Sequence, residues 1–298
     1  MLVRRSDLLF QKMVANKPTH RPTARFGAFL ADIGIPGDDI GEIDDALQAR
    51  FFQRKPGTNE PAERWDLNKV SISCPPARFQ RHLDLCGFGL ATIPQRWEYR
   101  YAIWPGALLV RAAARLTDLI QAWQSGVQWE HTIVFGGQRP LLEDKETPTQ
   151  ALVLLGQVPD IRDVSFETLN VRNELDMMVW LWNEAKMPAD MRLSATLVSV
   201  PMKPPAIPGG QPVRPNTEDT IRAWLVRKEP VPGDVLLSSG APYGMAQDEA
   251  FWKHLGPLGF TVETFGHAAP DNLTPEVVMR EVAGTVHQIC LARGLIAH

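Results

Sequence analysis

Several loops of this chain place small, hydroxylated or cationic residues directly after short apolar runs, where an anion could be held. The most informative is Gly136-Gly137-Gln138-Arg139-Pro140. Paired glycines open backbone conformations closed to other residues and let main-chain N–H groups converge on an oxyanion, while Arg139 adds a planar fork suited to phosphate or carboxylate. Upstream, Trp104-Pro105-Gly106-Ala107 leads into a helical pattern. A small residue such as Gly106 there lets a ligand approach the free N–H groups and dipole of a helix start. Downstream, Arg214 precedes Asn216-Thr217-Glu218-Asp219, a second helix start at which the arginine and backbone donors could share one anion. Ser238-Ser239-Gly240-Ala241-Pro242-Tyr243 offers hydroxyls for a polar pocket and a ring that could stack on a base.

Two side chains are candidates for proton chemistry. His267, in Gly266-His267-Ala268-Ala269-Pro270-Asp271, is the histidine best placed for acid–base work, with Asp271 as a residue that could orient it. Glu143, Glu146, Glu174 and Asp176 are the acids of the central region. Glu174 opens a helix, where it would compensate the dipole, or it faces a pocket as a carboxylate for hydroxyls, a metal or a reacting proton. Other chemistry is disfavoured: H-E-x-x-H, a Walker A run, G-x-S-x-G and C-x-x-C are all missing. The three cysteines, Cys74, Cys86 and Cys290, have unrelated spacings and read as small buried hydrophobes, and no metal site is expected.

The elements that must position these loops follow from periodicity. From Tyr99 onward, short apolar or β-branched runs alternate with amphipathic stretches, as in a parallel sheet built from βαβ units. Five strands are expected, Tyr99–Trp104, Thr132–Phe135, Ala195–Val200, Asp234–Ser238 and Thr261–Phe265. Helical spacing follows each, in Leu108–Gln124, Asn173–Glu184, Thr217–Val226, Ala246–Leu255 and Pro275–Ala292. The fold class is therefore α/β, a Rossmann-like sheet of mainly parallel strands over residues 99–298. Every candidate loop then falls at the carboxyl ends of the strands, where such sheets bind ligands. The long connection from Gly136 to Asn173 should carry a lid or an inserted helix.

Residues 1–98 read as a helical and irregular extension expected to pack on the main domain. There only Arg25–Ile33 and Ile40–Phe52 have helical spacing, with Asp38 or Asp39 as the cap of the second and Phe26, Phe29, Leu30 and Ile33 as the apolar face of the first. A Pro-rich stretch from Lys55 to Glu63 lies within the extension, and a second runs from Pro201 to Pro215.

With 44% hydrophobic residues in 298, the chain can bury a sizeable core. A formal net charge of −3 gives no general attraction to phosphate polymers, so nucleic acid is not an expected partner. No apolar run approaches the roughly 20 residues that cross a bilayer, and Arg4-Arg5 is followed by too short and polar a segment for a signal peptide. A cytoplasmic protein without membrane contact is expected; its oligomeric state is left open.

The order of these motifs resembles the ElyC/SanA/YdcF family over roughly Tyr99 to Gly266. Gly136-Gly137 is similar to that family's Gly-rich strand end, Asn173-Glu174 to its Ser-Glu helix start, Asn216-Thr217 to its Asn-Thr pair and Ser238-Ser239 to its Thr-Ser strand end. The family's following arginine has no counterpart, Gln247 lying in that vicinity. The resemblance implies a Rossmann-like fold and a nucleotide-like cofactor such as S-adenosylmethionine, without a settled reaction. Two functions from different classes are thus expected. One is a cytosolic enzyme acting on a nucleotide-like or phosphorylated small anion, with Glu174 and His267 as catalytic groups and Gly106, Gly136, Gly137, Gln138, Arg139, Arg214, Asn216, Thr217, Ser238, Ser239 and Tyr243 binding it. The alternative is a noncatalytic metabolite-sensing or partner-binding module using the same loops.

Overall fold

A computed structural model describes residues 21–35, 37–53, 67–142, 144–157, 164–205, 210, 212–270 and 273–296. The Pro-rich stretch from Lys55 to Glu63, Glu143 and Asp271 lie essentially outside these. The chain divides into two compact units, one of residues 1–92, 240–253 and 268–298, the other of residues 93–239 and 254–267.

The second unit contains a five-stranded sheet of β1 (Glu98–Trp104), β2 (Gln128–Gly137), β3 (Ala195–Val200), β4 (Asp234–Ser238) and β5 (Thr261–Phe265), in the order β3-β2-β1-β4-β5. All four pairings are parallel, with Ile103 opposite Ile133 on one side and Leu237 on the other. The fold is α/β with a Rossmann-like parallel sheet, as periodicity predicts. Three strands match their expected bounds. β2 begins four residues early, because Gln128 pairs with Glu98 before the apolar run starts. Central strands of such a sheet are covered on both faces, which is why Val235, Leu236 and Leu237 form an unbroken buried run.

Helix α4 (Leu109–Gln124) follows β1 and buries Leu109, Ala112, Leu116, Leu119 and Ile120, one stripe at helical spacing. The long connection after β2 carries a short inserted helix, α5 (Pro148–Leu154), followed by α6 (Glu174–Glu184), whose Asn173 cap accepts from Asp176 N–H. A further short helix, α7 (Ala189–Leu193), leads into β3, and α8 (Thr217–Lys228) follows it.

The first unit is helical. It contains α1 (Ala24–Asp32), α2 (Ile40–Phe51), α3 (Pro76–Cys86), residues up to Lys253 of α9 (Gly244–Leu255), and α10 (Pro275–Ala292). The expected face of Phe26, Phe29, Leu30 and Ile33 is buried, and Asp39 caps α2 through Gly41 N–H. Two differences from the sequence reading stand out. Helix α3 was not expected, although Phe79, Leu83 and Cys86 are its buried stripe and Pro76 suits a helix start. Helix α10, expected to close the α/β domain, joins a core with Ile43, Leu47 and Phe51 of α2 through Val282, Val286 and Ile289.

Candidate functional site

The switch in strand order at β1, which pairs with β2 on one side and β4 on the other, is where open α/β sheets form a crevice at their carboxyl edge. Two polar clusters of the second unit occupy this edge.

The first is built on Arg139, whose side chain is only 4% exposed. A guanidinium has five N–H groups, and the chain engages all of them. Nη1 and Nη2 each donate to one oxygen of Glu146 at 2.9 Å. Nη1 also donates to Pro140 O at 3.1 Å and Nη2 to Ala107 O at 2.9 Å, while Nε reaches Glu174 Oε1 at 3.2 Å. Glu146, with no exposed side-chain surface, further accepts from the backbone N–H of Leu109 at 2.9 Å and of Leu142 at 2.8 Å. Burial pushes the Glu146 carboxyl upward, but the hydrogen bonds and charge of Arg139 together with those N–H groups outweigh it and hold the group below its ordinary range. Burial likewise opposes the charge on Arg139, and its two carboxylates reverse the effect.

The Gly136-Gly137-Arg139 loop and the helix start after β1 therefore each hold an anion of the chain itself. Leu109 is the first residue of α4, so the helix start expected to meet a ligand anion meets Glu146. Gly137 N–H donates to Glu174 Oε2 at 3.0 Å, so the glycine-rich strand end meets Glu174. Glu174 is 6% exposed and uses both oxygens inside this cluster, which makes it a buried ion-pair partner rather than a carboxylate open to a ligand.

The glycines are required for close approach, and not for special backbone angles: none of Gly106, Gly136 and Gly137 has positive φ. A Cβ on Gly106 would lie 3.0 Å from the Glu174 carboxyl, one on Gly137 2.9 Å from Glu174 Oε2, and one on Gly136 2.9 Å from Leu175 Cδ1.

The second cluster centres on α4. Arg115, 4% exposed, donates through Nη1 to Pro105 O and Gly106 O and through Nη2 to Ser239 Oγ, each at 3.1 Å. Ser238 Oγ donates to Arg115 O at 2.8 Å, and Ser239 N–H to Phe265 O at 2.8 Å. Three residues along the same helix, Asp118 accepts through Oδ2 from both Nδ1 of His267 at 2.7 Å and its backbone N–H at 3.2 Å. Asp118 thus orients the His267 ring. The His267 side chain keeps 27% of its surface exposed.

The remaining expected site residues are spread along the chain. Asn216 is the N-cap of α8 in a reciprocal box with Asp219, at 3.0 and 2.7 Å, and Thr217 opens that helix. Arg214 and Gln138 are exposed, the latter donating its backbone N–H to Val200 O at 2.9 Å. Tyr243 is 6% exposed and belongs to the first unit.

Sequence reading missed Arg115 and Asp118. The available signal was two charged residues beside the apolar stripe of a helix following the first strand. It also missed the one group among the described residues able to ligate a metal, Asp32, Cys74 and His82 of the first unit. Set against models of known families, curated proteins and solved structures, the chain finds no match in any of the three.

Proposed function

We propose that this chain is a cytoplasmic enzyme whose second unit binds a small anionic, nucleotide-like or phosphorylated ligand at the carboxyl edge of β1, β4 and β5, with His267 as the proton-transfer group. The observation that carries the reading is the Asp118–His267 pair. A carboxylate accepting from Nδ1 fixes the ring and its tautomer, leaving the Nε2 lone pair for a substrate proton. The second hydrogen bond, from the His267 backbone, holds the ring and the strand end together.

Ser239 and Arg115 border the same strand ends. Both are buried, and their hydrogen bonds tie the loop after β1 to the end of β4 beside His267. The carboxylates of Glu146 and Glu174 already fill the β1–β2 side of the edge, which directs an incoming anion toward β4 and β5. Arg139, Gly106 and Gly137 then act by positioning the loops. The resemblance to the ElyC/SanA/YdcF family supports a nucleotide-like ligand, S-adenosylmethionine among them.

A thermal-shift panel of nucleotides, S-adenosylmethionine and sugar phosphates tests the reading, because a ligand that binds only the folded chain raises its apparent stability. One class should stabilise wild type, and that compound should then be turned over. His267→Ala should bind it comparably and lose roughly 100-fold or more of the turnover, the usual worth of a positioned acid–base group. No stabilisation by any class overturns the reading and leaves the partner-binding module.

A further inference from the structure

Asp32 ends α1, Cys74 precedes α3, and His82 lies in the middle of α3. Their polar atoms converge. Asp32 Oδ2 lies 2.6 Å from His82 Nε2 and 3.8 Å from Cys74 Sγ, and the three ligand atoms all fall within 4.8 Å of one another. We propose that Asp32, Cys74 and His82 form a binding site for a zinc-class divalent transition metal, with Oδ2, Sγ and Nε2 as ligands and a fourth position for water.

The donor set decides the metal class. Thiolate and imidazole favour zinc and its neighbours, whereas magnesium and calcium take oxygen ligands. With zinc bonds of roughly 2.0–2.3 Å in tetrahedral array, ligand atoms sit about 3.3–3.7 Å apart. The oxygen–sulfur distance is close to that already, and the oxygen–nitrogen pair has to open by less than about 1 Å.

The surroundings suit a cation. Asp32 Oδ2 gathers polar partners, with the Arg78 guanidinium Nε 2.5 Å away in addition to His82 Nε2. Arg78 is 61% exposed, so its guanidinium can turn to solvent when an ion replaces it. The imidazole of His82 is committed to this point: Nδ1 is buried without a hydrogen-bond partner, and the polar contact of the ring is through Nε2. The trio is neither sealed nor open, with side chains of Asp32 and His82 at 17% and 12% exposure and Cys74 at 8%. Burial, followed by the charge of Asp32, pushes the Cys74 thiol upward. It therefore enters protonated at neutral pH, and binding must replace its proton by the metal, releasing one H⁺ per ion as the sulfur–metal bond forms. The proton that Nε2 donates to Asp32 shifts to Nδ1, which keeps the imidazole neutral and adds no second H⁺ to the one released by the thiol. An ion there also clamps α1 to α3 across a loop that is long in sequence.

The test uses the full chain, stripped with a chelator and titrated with cobalt chloride, then with zinc chloride in competition. One equivalent of cobalt should produce a thiolate-to-cobalt charge-transfer band and the strong visible bands of four-coordinate cobalt, both removed by zinc. Cys74→Ser should abolish the charge-transfer band, and His82→Ala should weaken binding by about 100-fold or more, since even outer groups of metal sites are worth 10–100-fold. Arg78→Ala alters only an exposed side chain and should tighten binding, because it removes the competing cation. Absence of the charge-transfer band in wild type, its persistence in Cys74→Ser, or weaker binding in Arg78→Ala would overturn the proposal.

Discussion

Without its guanidinium, Arg139 would leave the carboxylates of Glu146 and Glu174 buried and uncompensated. Removal of one partner from a buried ion pair costs about 3–5 kcal/mol, so Arg139→Ala should unfold at markedly lower urea, and Arg139→Lys should recover little because an ammonium cannot serve five acceptor directions. The same cluster sets an acid dependence. A carboxyl held below its ordinary 4.5 contributes stability that is complete above that value and is lost as pH falls through its lower folded value. Urea midpoints measured between neutral pH and pH 3 should therefore fall less steeply in Glu146→Gln than in wild type, although the variant is the less stable of the two at pH 7. His267 is different in kind, since its side chain keeps 27% of its surface exposed and its proposed role is proton transfer. Asp118→Asn should reduce turnover with little loss of ligand affinity, a split that steady-state kinetics reads directly.

Among the elements, the βα turns show how a motif is legible while its use is not. Gly136 and Gly137 were visible as a strand end that needed small residues, and it does need them. The reason was hidden, because the crowding atoms are Leu175 for Gly136 and Glu174 and Pro215 for Gly137, between 37 and 78 residues away in sequence. Gly137→Ala places a Cβ 2.9 Å from Glu174 Oε2 and 3.0 Å from Pro215 Cγ, so an overpacking cost of about 1–3 kcal/mol is expected by thermal unfolding. Asn216→Ala makes the opposite case. The helix start was readable from the sequence, with Asn216 or Thr217 as its cap; the structure assigns Asn216, the capping box needs no ligand, and the loss should be about 1 kcal/mol of stability. Helix α4 lies between these extremes. Its apolar stripe followed from spacing, but its polar neighbours Arg115 and Asp118 gained meaning only when Ser239 and His267 came to lie opposite them.

For the molecule as a whole, the alternation of short apolar runs with amphipathic stretches determined the α/β class and the five strands, because period and burial are local properties of the chain. Composition determined that no described helix is long and apolar enough to cross a membrane. Strand order was not contained in that alternation, and neither was the grouping of α10 with α2 and α3, since both depend on which apolar faces find each other across hundreds of residues. Charge was the least legible property of all. The sequence showed an arginine, two helix starts and paired glycines suited to an anion, and it showed Glu146 and Glu174, but side-chain pairing is set by distance in space. Only the tertiary structure made those glutamates the anions, paired Asp118 with His267, and brought Asp32, Cys74 and His82 to one point.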